Sequence, residues 1–186
     1  MIIAEQKKKD NIIEYVLYMW NVEDLLRSFN LDLGMVEDKV IAQYDVDEKK
    51  KEEIRDWYVQ LIKDMRENDI LESGHLPDLN ELITELNFLH QSLLHLYNDT
   101  IYQRLEKEAH ENLLTLIEKS GKKNISPIEA GLNGLYGTLL LKMKQKQISE
   151  ETAKSIKTIS DLFAYLAVKY REMKAGKLVM SPHKNN

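Results

Sequence analysis

The chain has 186 residues, 26 basic and 31 acidic, for a formal net charge of −5, and no cysteine. Cysteine-free chemistry excludes disulfides, thiolate metal sites and cysteine nucleophiles, and an acidic total argues against the basic face that a nucleic-acid binder carries. Met1-Ile2-Ile3-Ala4 is too short for a signal-peptide core and runs into charge. No run reaches the ~18 apolar residues of a membrane span. These features lead us to expect a cytoplasmic protein with no membrane and no nucleic-acid partner.

Six helical segments are predicted in chain order. The first covers about Glu5 to Phe29. At roughly 100° per residue, Ile12, Val16, Met19, Trp20 and Leu26 gather on one face, and Glu23 falls near its centre with Arg27 one turn on. A charge in that position must be paired or it costs several kcal/mol. The spacing predicts a Glu23–Arg27 ion pair, completed by His90 or a tyrosine hydroxyl. Trp20, Glu23, Arg27 and His90 are therefore the candidate buried polar network or ligand-binding pocket.

A short second helix lies near Asp32 to Gln43. The third starts after Asp47, a good N-cap, and its stripe of Ile54, Trp57, Tyr58, Leu61, Ile62 and Met65 backs onto charge, which places it on the outside. Gly74 is the expected stop after about Leu71. Pro77 opens a long fourth segment reaching Gly121. Leu79, Leu82, Leu86, Leu89, Leu93 and Leu96 step as a bundle seam, and the stripe then moves to Tyr97, Ile101, Leu105, Ala109 and Leu113. The change falls at Asn98-Asp99-Thr100, which is cap chemistry, so a kink or break is expected there.

Ser126-Pro127-Ile128-Glu129 starts the fifth helix with a cap, a first-turn proline and a returning glutamate. It has a bulky face (Ile128, Leu132, Leu135, Tyr136, Leu139, Met143) and a thin one (Ala130, Gly134, Gly137, Leu141). An interior helical glycine costs about 1 kcal/mol against alanine. Close packing of another helix at Ala130, Gly134 and Gly137 is the ordinary reason, and a flat ligand or a symmetry mate is the sharper one. Ser149 caps the last helix, whose stripe runs from Thr152 to Met173 before Gly176. Lys177 to Asn186 reads as a tail.

Catalytic motifs are sparse. Glu72-Ser73-Gly74-His75 alone has the Glu-x-x-His spacing of bundle metal sites, but it straddles a helix end. No metal is expected. No glycine-rich phosphate cradle occurs, and no cofactor is expected. Arg104-Leu105-Glu106-Lys107-Glu108-Ala109-His110 resembles the arginine-x-histidine spacing of HEPN-type helical ribonucleases. That likeness implies an acid–base role for His110 and a phosphate contact for Arg104. Leu105 replaces the usual polar residue, and the surroundings are acidic.

Glu14-Tyr15-Val16-Leu17-Tyr18-Met19-Trp20, followed by Glu23-Asp24-Leu25-Leu26-Arg27, resembles the opening of an uncharacterised family of helical proteins of Bacteroides-type bacteria. The resemblance extends over essentially the whole chain and implies a bacterial, cytoplasmic origin with no assigned activity. The expected architecture is an all-α, single-domain, largely antiparallel bundle of five to six helices over 1–176 with a central Gly/Ala-striped helix. The expected function is a non-catalytic helical interaction or scaffolding protein, self-associating or with a protein partner. A small-ligand binder around Glu23 and Arg27, and a HEPN-like ribonuclease, are the alternatives.

Overall fold

The computed structural model describes residues 2–178. These form eight α-helices and one 3-10 turn, with no strand among them: α1 (Ile2–Asp10), α2 (Ile12–Ser28), α3 (Leu33–Lys39), the turn Ile41–Gln43, α4 (Glu48–Glu67), α5 (Pro77–His95), α6 (Thr100–Ser120), α7 (Pro127–Met143) and α8 (Glu150–Lys174). The all-α expectation holds. The count exceeds five to six because two long segments break. Asn11 interrupts the first, its Oδ1 accepting from the Ile13 amide. Residues 96–99 interrupt the fourth. There Asn98 is left-handed at φ 46°, and Asp99 caps α6 by accepting from the Ile101 and Tyr102 amides. The new cap resets the helical phase. Tyr102 is buried in place of the expected Ile101, which is 48% exposed, and Leu96 lies beyond the end of α5.

The described chain divides into two compact units, residues 2–9 with 14–81 and residues 10–13 with 82–178. In the first, Val16, Met19, Trp20 and Leu26 of α2 are buried, as is the stripe Ile54, Tyr58, Leu61, Ile62 and Met65 of α4. The far side of α4 is charged and exposed. Asp47 caps α4 through the Lys50 amide. The helix ends at Glu67 rather than near Leu71, because Asp69 turns left-handed at φ 55° before Gly74 is reached.

In the second unit α6 packs on both α7 and α8. Ser126 and Ser149 cap α7 and α8 as expected. A Cβ built on Gly131 would meet Phe163 and Leu113, and one built on Gly134 would meet Leu116 and Ile156. Along α7 its neighbours on α8 retreat from Phe163 to Ile156, so α7 runs against α8. Tail residues 179–186 lie outside the described residues.

The central position expected for α7 holds only for its first turns. Ile128, Ala130, Gly131 and Leu132 are buried, and no residue beyond Leu132 is. The neighbours run out. Gly134 sits level with Ile156, and α8 begins only six residues further on, at Glu150. At 1.5 Å rise per residue, α7 passes the start of α8 near residue 140. Gly137 lies about 60° round the helix from Gly134; among the described residues it meets nothing within 4 Å and is not a close-packing position. Gly134 is one, against the Leu116 side chain rather than a backbone, and Gly131 is tighter still, a built Cβ lying 2.5 Å from the Phe163 ring.

Candidate functional site

Glu23 is the most deeply buried carboxyl side chain in the first unit, 1% exposed. Its partner is not Arg27. Glu23 Oε1 accepts from the Leu76 amide at 2.9 Å, and Oε2 accepts from His75 Nδ1 at 2.6 Å. Arg27 donates instead to Asp24 Oδ1, to the Ile70 carbonyl and, in a short bond, to the Gly74 carbonyl. The reason is the α4–α5 connection. It lies on α2 with its carbonyls towards the guanidinium and an amide towards the carboxyl group, so each side chain finds backbone dipoles of the complementary sign. Such bonds satisfy both groups without the i,i+4 pair that the spacing predicted.

This arrangement also starts a helix. Leu76 precedes Pro77 and offers no capping side chain, so Glu23 supplies the acceptor from another element, where a carboxyl group also complements the helix dipole. Gly74 permits the turn with φ +92°, and a Cβ there would press on Ile70 at 3.2 Å. His75 stacks on Trp20 with ring centroids 4.3 Å apart and 13° between planes. Tyr15 nearby has its hydroxyl pKa pushed up, first by burial and then by Asp78 and Glu23. The Nδ1 bond fixes the imidazole orientation, and the side chain stays 29% exposed. Three clefts of this unit open elsewhere: one of about 610 Å³ is lined by Leu31, Gly34, Val59, Ile62 and Arg66, one of about 580 Å³ by Glu37, Ile41, Glu48 and Arg55, and one of about 420 Å³ by Ile3, Tyr44, Lys50 and Ile54.

His90 belongs to the second unit. Its Nδ1 bonds the Tyr102 hydroxyl at 2.7 Å, with the rings edge-on at 72°. Burial lowers the His90 pKa, against a raising influence from Glu106. Asp99 is the other polar centre of this unit, taking Lys169 at 3.2 Å and the Tyr165 hydroxyl at 3.1 Å in addition to its capping bonds. Burial acts to raise its carboxyl, but the Tyr102 amide, Lys169 and Tyr165 together hold it below its ordinary value.

A cleft of about 460 Å³ lies between α5, α6 and the start of α7, lined by His90, His95, Glu106, His110, Leu114 and Ile117 among others. Among the described residues, no group of three His, Cys, Asp or Glu side chains is placed to hold an ion. His110 bonds Glu106 at 2.8 Å, and Arg104 bonds Glu108 at 3.1 Å, each on its own helix face. The Glu106 bond raises the His110 pKa. Arg104 does not line the cleft. The two residues of the ribonuclease-like pattern are thus each neutralised by an acid rather than joined at one place.

The remaining feature is the outer part of α7. From Ala130 to Leu141 it has no charged residue. Leu135, Tyr136, Leu139 and Leu140 are half-buried, and Leu141 and Met143 are 41% and 58% exposed. Sequence reasoning marked this helix but placed it inside, since nothing local to α7 reveals where its neighbours end. No helix among the described residues is long and apolar enough to cross a membrane.

A family model described as Domain of unknown function (DUF4924) matches residues 1–177. No curated protein and no solved structure matches the chain.

Proposed function

We propose that this chain, which belongs to the DUF4924 family over residues 1–177, is a non-catalytic helical interaction protein whose working surface is the outer half of α7. One observation carries the reading: a charge-free helix stretch, with Asn133, Tyr136 and Thr138 its only polar side chains, that is fully buried no further than Leu132 and half-buried or exposed beyond it. A helix apolar all round belongs in a core, and a contiguous apolar patch left open marks a place where another protein sits. The reading takes the chain as a cytoplasmic bacterial protein, in line with the resemblance at residues 14–27.

The test is a photo-crosslinking amino acid at Leu140, with the exposed Lys107 of α6 as control, in the producing cell. Position 140 is expected to give discrete protein adducts and position 107 none. No adduct at 140, or the same adducts at both, contradicts the reading.

A second reading rests on His75, the half-exposed imidazole held by Glu23, as a small-ligand contact beside Trp20 and Arg27. Ligand screening by His75 ring NMR signals tests it; a metabolite pool that leaves those signals unmoved refutes it.

A further inference from the structure

We infer that the occupant of the α7 face is a second copy of this chain, laid antiparallel across it about a two-fold axis between Tyr136 and Gly137. The inference rests on the interaction reading above and adds the identity and register of the partner. At 100° per residue, Glu129, Asn133, Tyr136, Leu140 and Lys144 fall within an 80° stripe of α7, with Gly137 at its edge. Asn133 and Lys144 are exposed, and Glu129, Tyr136, Gly137 and Leu140 are half-buried. Only the two ends of this stripe are charged, with opposite signs.

An antiparallel copy pairs positions whose numbers have a constant sum, and each pairing occurs twice because a two-fold interface is self-complementary. The register that sets Glu129 against Lys144 of the second copy also sets Asn133 against Leu140, and Tyr136 against Gly137. The largest side chain of the stripe thereby meets the residue with no side chain, and among the described residues no atom lies within 4 Å of a Cβ built on Gly137. Charge and shape select the same register independently. A parallel copy fails on both counts, since it sets Glu129 beside Glu129 and Tyr136 beside Tyr136. Lys122 donates to Glu129 Oε1 at 3.3 Å, which leaves the carboxylate its second oxygen for Lys144.

Sedimentation equilibrium of the full chain tests this. The parent is expected to reach twice its 21.8 kDa mass. Glu129→Lys alone and Lys144→Glu alone each turn two attractions into two repulsions, and the dissociation constant should rise about tenfold in each at low salt. Mixing the two variants one to one restores opposite charges at both ends, so a heterodimer of near-parental affinity is expected. Leu140→Glu is expected to be monomeric and folded by circular dichroism. A parent that stays monomeric, a dimer indifferent to both reversals, or a mixture no tighter than its components overturns the inference. If the parent is monomeric while position 140 still crosslinks to proteins of other mass, the second copy is wrong and the interaction reading stands; if nothing crosslinks, both fall.

Discussion

Replacing Glu23 with alanine removes two acceptors at once from a site that is 1% exposed. The Leu76 amide loses the acceptor that it has among the described residues at the start of α5. A buried donor left without an acceptor costs about 1–3 kcal/mol. The bond from His75 Nδ1 goes as well, worth about 0.5–1.5 kcal/mol net because the half-exposed imidazole can turn to water. Together these give about 2–4 kcal/mol for Glu23→Ala. Glu23→Gln keeps a carbonyl for the Leu76 amide and should cost about half as much. The assay is urea unfolding followed by fluorescence in a Trp57→Phe background, so that Trp20, stacked on His75, reports alone. A double-mutant cycle with His75→Ala should give a coupling near 1 kcal/mol, and one with Arg27→Ala a smaller value, since Glu23 and Arg27 bond different groups. A larger coupling to Arg27 than to His75 would refute the account of this node.

Gly131→Ala should destabilise by about 1–3 kcal/mol through overpacking against Phe163, whereas Gly137→Ala, with no described atom within 4 Å of its built Cβ, should stabilise the monomer by up to about 1 kcal/mol; thermal melting of both variants at concentrations too low for association checks the contrast. Burial lowers His90 below its ordinary 6.5, so the unfolded chain takes up that proton first. His90 should therefore contribute full stability above pH ~6.5 and lose it as the pH falls from there towards the lowered folded value. Urea midpoints at pH 7.5 and pH 5 should drop less in His90→Gln than in the parent, the raised His110 acting oppositely but equally in both. Purified protein should not cut single-stranded RNA, with or without His110→Ala, as gel assays of labelled RNA will show; His110-dependent cleavage would overturn the separation of Arg104 from His110.

Much of the fold is legible locally because caps and stripes are local. Asp47, Ser126 and Ser149 each accept the amide three residues on, and the α4 stripe follows from helical period alone. Asn98 and Asp99 betrayed the break between α5 and α6 by their chemistry. The partner of Glu23 was not legible. His75 lies 52 positions away, and only its place just before Leu76-Pro77 hints that the start of α5 needs an acceptor from elsewhere. Spacing found Arg27 as the nearest cation but could not see the carbonyls of Ile70 and Gly74 that claim it. Along the glycine stripe a Cβ built on Gly134 meets the Leu116 side chain, and one built on Gly137 meets no described atom. Composition is the same at both, and what differs is the helix face, the two lying about 60° apart round α7.

The central claim is that the outer half of α7 is a covered surface in the working protein. Because the chain has no cysteine, Gly137→Cys places a single thiol at the middle of that surface, and Lys107→Cys places one on an exposed control position. The decisive measurement is the rate at which a thiol reagent modifies each, in cells and in purified protein over a range of concentrations. The account predicts that the thiol at 137 reacts far more slowly than the one at 107 in cells and in concentrated protein, and approaches the control rate on dilution. Equal rates at both positions under every condition would contradict it.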